Sequence, residues 1–379
     1  MSEEFDREKQ NNVDISSSSS PDDRETHYAY EDGMRVAHNP YQDEKSKSDA
    51  ENADGKENAD GGESRAEVTA SPKKKKMKTV DKVIMIIAII VFIVSLGVIL
   101  KTVYDIGLNK KQNEDIAGLV SDSVEQTKEY GDDGILEKYR SAYNANNDLV
   151  GWITVPNTSI NHPVVQGKNN EYYLRRSFYG DYQKRGTIFM DYRDHAQPLC
   201  KNTILYGHNF LDSTMFADLE KYKDIEFYKT SPVIQFDTIY EKHKWKVIAA
   251  FLTNADDKDD NGYTFNYIYP FMTNDNFEAF IDEIKMRSLY FTNVDVNKND
   301  KILTLSTCTR DMDIKGNGET NARFVVIARL VRDGESETVD VSKTVKNDNP
   351  RYPQIWYDAH GLSNPYAYAE RWFPEGVEY

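Results

Sequence analysis

Cysteine is scarce in this chain: Cys200 and Cys308 are the only two in 379 residues. So few exclude a disulfide framework and leave at most a single bridge, or else a lone reactive thiol. Basic charge is also in deficit. A net charge of −16 excludes the cationic surface that displaces counterions from nucleic-acid phosphates, so no nucleic-acid partner is expected. Residues 1–79 contain almost no Leu, Ile or Phe and are filled with Asp, Glu, Ser, Asn and Lys. Such a segment cannot bury enough apolar surface to offset its chain entropy, and a disordered tail is expected there. No fixed-period repeat is visible. The cysteines and histidines lack zinc-ligand spacing, and the acidic run Asn254–Asp260 reads as a solvated loop rather than a calcium site; no cofactor is expected.

What the chain does have is one long apolar run. From Val83 to Leu100 the sequence VIMIIAIIVFIVSLGVIL carries no charge, and its length approaches the thickness of a bilayer core. A transmembrane anchor over 80–101 follows. Lys73, Lys74, Lys75, Lys76, Lys78 and Lys82 precede it, whereas Lys101, Lys110 and Lys111 follow more sparsely. The positive-inside bias then puts the N-terminus in the cytoplasm and the rest outside the cell. A cleaved signal peptide fits poorly, because the apolar run starts some eighty residues into the chain and no A-x-A site follows it.

Residues 102–133 are polar and read as a helical or flexible stalk rather than part of a core. Folding of the main domain is expected over 134–333. It opens with an amphipathic helix in ILEKYRSAYNANN and a strand through Trp152 and Ile153. Short β-prone segments then follow at hairpin-like spacing: SINHPVVQG, GTIFMDYR, NTILYGHNF, SPVIQFDTIY, KWKVIAAFLTN, KILTLSTC and RFVVIARLV. The pattern predicts a mainly β protein, a closed or nearly closed mixed β-barrel of seven to eight strands with peripheral helices. One such helix is expected in TNDNFEAFIDEIKMRS, with Phe277, Phe280, Ile281 and Ile284 on its apolar face. Residues 334–379 form an aromatic-rich extension containing Trp356, Tyr357, Tyr366, Tyr368, Trp372 and Phe373, which either packs on the barrel surface or borders a substrate cleft.

Three residues could meet in one place. Cys308 ends the strand segment KILTLSTC where polar sequence begins, so its sulfur is expected at a barrel rim, partly exposed, rather than inert in the interior. His208 ends NTILYGHNF in the same way, after a Gly207 that permits an unusual backbone angle. The other histidines lie in the tail (His27, His38), in turn-like contexts (His162, His195), in a charged hairpin (His243) or in the extension (His360). Arg323 opens the strand after the loop leaving Cys308, and a hairpin would return its guanidinium beside the sulfur; Arg310 and Arg329 are the alternatives.

The segments NTILYGHNF, TLSTC and NARFVVIARLV, in that order after an anchor, resemble the signature segments of class B sortases. The likeness covers about residues 134–333 and includes DLVGWITVPNTSINHPVVQG and DSTMFADLEKY; the loop from Cys308 to Arg323 and the acidic tail are longer than that family leads one to expect. The resemblance implies a cysteine transpeptidase with Cys308 as nucleophile, His208 as acid and base, and Arg323 on the oxyanion. It further implies Ser306, with Thr307, in peptide binding. The implied partners are surface proteins carrying a sorting signal, cleaved after Thr, and an amine of a peptidoglycan precursor or a pilin. A thiol peptidase of the same fold and an inactive surface scaffold are the competing functions.

Overall fold

A computed structural model describes residues 78–120, 130–314 and 320–375. The tail expected over 1–79 lies, up to residue 77, outside the described residues, as does the tip of the loop between Cys308 and Arg323. The first element is the helix α1 (Thr79–Ala117), begun by Asp81, whose carboxylate accepts from the Lys78 N–H at 3.2 Å. Over residues 83–100 its side chains are exposed on every side, and the helix is long and apolar enough to cross a membrane. The polar stretch expected to stand clear of any core does not do so throughout. Ile116 is buried with Leu136, Tyr139, Trp152, Val165 and Phe178, and Gln183 donates to Gln112 at 2.8 Å. The helix therefore runs without a break from the apolar span to the side of the barrel, about 24 Å beyond Leu100 at 1.5 Å per residue.

A short 3₁₀ turn and α2 (Arg140–Ala145) replace the single helix expected at the start of the domain. The strands that follow are β1 (Leu149–Thr154), β2 (Asn161–Val165), β3 (Phe189–Met190), β4 (Asn202–Tyr206), β5 (Val233–Thr238), β6 (Lys244–Asn254), β7 (Tyr290–Phe291), β8 (Ile302–Cys308), β9 (Ala322–Leu330) and β10 (Val345–Lys346). Eight of them close into a barrel in the order β1-β2-β3-β4-β8-β9-β6-β5, and β7 pairs with β10 separately. The barrel is mixed because β2/β3 and β4/β8 run parallel. Helix α3 (Ile225–Thr230) lies between β4 and β5, α4 (Asn274–Arg287) between β6 and β7, and α5 (Gln354–His360) in the C-terminal extension.

Alternation along the strands buries apolar residues both inside the barrel and against its outer face. Ile153, Val164, Leu205, Phe236, Trp245, Leu303, Leu305 and Val326 fill the barrel. Phe251, Ile302, Val325 and Ile327 point outward from β6, β8 and β9 into a second cluster, closed by Phe277, Phe280 and Ile284 of α4. Burial on both faces explains why RFVVIARLV is an unbroken apolar run instead of an alternating one. Helix α4 begins where expected: the Thr273 hydroxyl accepts from the Asn276 N–H at 3.2 Å.

His162, expected in a turn, lies on β2 and is buried, with neither ring nitrogen hydrogen-bonded. Gln112, Asn113 and Ile116 of α1 border the small cavity beside it. Burial holds the ring neutral, lowering its pKa from 6.5 to about 4. The unfolded chain therefore binds a proton at His162 between these values while the folded chain does not, so stability is lost as pH falls through that window. The loss from this group should approach about 3 kcal/mol near pH 4, and thermal melts of a His162→Gln variant should show a smaller drop in Tm between pH 7 and pH 4.5; equal drops would contradict it.

Candidate active site

Parallel pairing of β4 with β8 sets Tyr206 opposite Ser306, and the alignment continues past the formal end of β4. The Gly207 N–H donates to Ser306 O (3.2 Å), and the Asn209 side-chain amide to Cys308 O (2.8 Å). His208 is thus carried alongside Cys308. On the other side of β8, antiparallel pairing makes Arg323 of β9 the direct partner of Cys308. Neighbouring strands lie about 4.8 Å apart, so Cys308 and Arg323 stand side by side on β8 and β9, and His208 follows two residues beyond the end of β4.

Parity decides which way Cys308 faces. Leu303 and Leu305 point into the barrel, so Ser306 and Cys308 point out of it, as does Tyr206 on β4. Cys308 is exposed, and His208 and Arg323 are half-buried. The thiol thus lies on the outer wall near the strand ends rather than at an open rim. A floor of this kind needs side walls. One is the segment from 255 to 272, whose Tyr267 hydroxyl is 2.9 Å from the Ser306 hydroxyl. Burial raises the Tyr267 pKa, while the charge of nearby Arg323 works the other way. The other wall is the turn Tyr172–Arg175. Its Leu174 carbonyl lies 2.9 Å from His208 Nε2, and since a carbonyl only accepts, Nε2 donates. The neutral ring then carries its proton on Nε2.

Arg323 donates to the Ala322 carbonyl at 3.0 Å and has no carboxylate partner among the described residues. Arg329, on the same strand, is fully buried and held by Glu335 through two bonds of 2.7 and 2.6 Å, which removes it from consideration as an anion site. Arg310 is exposed on the loop leaving Cys308. Cys200 lies two residues before β4, and burial, with Asp194 beside it, pushes its thiol up to about 11. It cannot bridge Cys308, which stands six residues, about 20 Å, beyond the Ile302 that pairs with Asn202.

Two expectations about side chains change. Thr307 does not share the Cys308 face: it is buried and its hydroxyl donates to the Gly207 carbonyl at 2.8 Å, tying the His208 turn to β8. Gly207 is needed for space and not for an unusual backbone angle, since its φ is not positive. A Cβ there would lie 2.6 Å from the Phe216 ring. Tyr267 and the Leu174 carbonyl had no signal in the sequence, being brought in by irregular segments; Asn209 stands beside His208 and could have been noticed. No group of three or more His, Cys, Asp or Glu suited to a metal ion occurs among the described residues.

Comparison with known proteins finds relatives of one family. The sortase domain family matches residues 153–331. Sortase B of Staphylococcus aureus is 33% identical over 261 residues, covering 69% of this chain and 99% of that protein. Sortase B of Listeria monocytogenes is 33% identical over 247 residues, covering 63% and 94%. Among solved structures, a Staphylococcus aureus sortase B–substrate complex superposes with a TM-score of 0.51 at 34% identity, covering 62% of this chain and 99% of that one.

The crowding at Gly207 is directly testable. Gly207→Ala should lower stability by about 1–3 kcal/mol through overpacking against Phe216, and adding Phe216→Leu should recover part of the lost Tm. Additive losses in the double variant would show that the two side chains do not collide.

Proposed function

Because this chain belongs to the class B sortases, which are cysteine transpeptidases, we propose that it cuts a sorting signal on surface proteins outside the cell and joins the freed carboxyl end to an amine. The observation that supports this reading is the pairing of Cys308 with Arg323 on β8 and β9, with His208 in the turn that leaves β4, flanked by the Gly207 and Asn209 bonds to β8. The Cys308 thiolate attacks the carbonyl after the Thr of the signal, and the Arg323 guanidinium, unopposed by a carboxylate among the described residues, faces the developing oxyanion. The C–N bond breaks as His208 protonates the departing amine, leaving a thioester on Cys308. An incoming amine then attacks the thioester, gives its proton to His208 and expels the thiolate.

Ser306, outward-facing and tied to Tyr267, lines the peptide site, while Thr307 serves by holding Gly207 and His208 beside β8. That a related sortase B is described in complex with a substrate supports a peptide in the groove. The acceptor is an amine of a peptidoglycan precursor or of a pilin. α1 spans the membrane, with the lysine-rich side in the cytoplasm and the barrel outside.

In a test with the full chain in detergent and quenched sorting peptides, Cys308→Ala should abolish both cleavage and ligation. His208→Ala and Arg323→Gln should each lower kcat/KM by about 10²–10³-fold, the range for lost acid–base and oxyanion groups. Adding an amine should convert hydrolysed product into ligated product. Hydrolysis unaltered by any amine would instead favour a thiol peptidase, and ligation by the Cys308→Ala variant would end the proposal.

A further inference from the structure

The wall carrying Tyr267 poses a physical problem. Between Ala255 and Met272 the chain has only a 3₁₀ turn, Asp257–Asp260, and no strand ladder to fix it. On its barrel side it is anchored by the Asn202 side-chain amide, which donates to the Tyr267 and Tyr269 carbonyls at 3.1 and 3.2 Å. Its other side is held by the C-terminal extension, beyond residue 331 where the family match ends.

That hold is extensive and specific. The acidic run read from sequence as a solvated loop contains a buried Asp260, whose carboxylate accepts from Arg371 at 2.8 and 3.2 Å and from the Gln354 N–H at 2.9 Å. The Arg371 guanidinium also lies over the Tyr263 ring at 4.7 Å, and the Tyr263 hydroxyl donates to Trp372 O at 2.9 Å. Trp372 packs edge-on against both Phe265 and Phe280, each at 5.7 Å, where Phe265 stacks on Phe280. Asn276 then clamps the backbone of Glu375 through two bonds of 2.9 Å. From Phe265 the path to the site is short: its carbonyl accepts from the Tyr267 N–H at 2.8 Å, and Phe251 packs against both rings.

We propose that the C-terminal extension, through Arg371 and Trp372, sets the position of Tyr267 and thereby the peptide-binding wall beside Ser306 and Cys308. The inference rests on the active site proposed above. Arg371 and Trp372 are positioning residues: they touch neither substrate nor thiol, and act by fixing Tyr263 and Phe265. Loosening them leaves His208, Cys308 and Arg323 in place, because these are held by the pairing of β8 with β9 and by the bonds of Gly207 and Asn209 to β8, and displaces only the wall. Displacement by an ångström or so is enough to cost a reaction one to two powers of ten.

The test uses the full chain in detergent, with 3-fluorotyrosine placed at position 267 as a reporter of its surroundings. Trp372→Ala and, separately, Arg371→Gln should shift or broaden that ¹⁹F resonance, whereas Trp372→Phe should leave it near its original position. With a sorting peptide, the first two variants should lose about tenfold or more in kcat/KM, mainly through KM, while Cys308 reacts with iodoacetamide at the unaltered rate. Arg371→Gln carries the test if Trp372→Ala does not fold. An unmoved resonance, KM within twofold, or equal slowing of iodoacetamide would overturn the proposal. If the unaltered chain turns over no sorting peptide, the proposed function fails, and the resonance alone decides whether the extension positions Tyr267.

Discussion

The register of β8 between β4 and β9 is the constraint on which the site depends. A strand alternates its side chains with a period of two, so one residue of slip would turn Cys308 into the barrel and Thr307 outward. The same slip would separate His208 and Arg323 from the thiol. Register is held by burial on both faces: Leu303 and Leu305 fill the interior, while Ile302 packs outward with Val325 and Ile327 beneath α4. Packing that looks merely structural therefore decides where three polar groups stand.

Around these residues, segments without regular structure supply what the strands do not. The turn at Leu174 offers a backbone carbonyl to the imidazole, and the segment from Ala255 to Met272 offers Tyr267 to Ser306. Both are anchored by side chains: Asn170 and Arg193 converge on Asp191 behind Tyr206 on one side, and Asn202, Asp260 and Phe265 act on the other. The charges in these anchors are paired. Burial alone would raise the Asp191 pKa, yet the bonds from Arg193 win and hold the carboxylate below its ordinary range.

Much of the architecture was legible in the chain. The apolar run of α1, the Thr273 cap with Phe277, Phe280 and Ile284 behind it, and the barrel strands all carry periodicity or cap signals that local physics makes binding. Reasons were less legible than positions. Gly207 reads as a residue chosen for an unusual backbone angle and is a gap left for Phe216; His162 reads as a turn residue and is buried on β2. Asp260 reads as solvated in the sequence, and its partner Arg371 lies 111 residues further on.

The sequence by itself determined the elements and their order: one long apolar helix, the β-prone segments, and which polar residues end them, because hydrophobic period and strand ends are local properties. Only the tertiary structure decided which of those residues meet. Whether Arg323 or Arg329 is open to an anion depends on the strand partner and on Glu335, and Tyr267 reaches Ser306 only through a fold across 39 residues of chain. Such proximity is produced by pairing and packing between distant segments, and no local pattern encodes it.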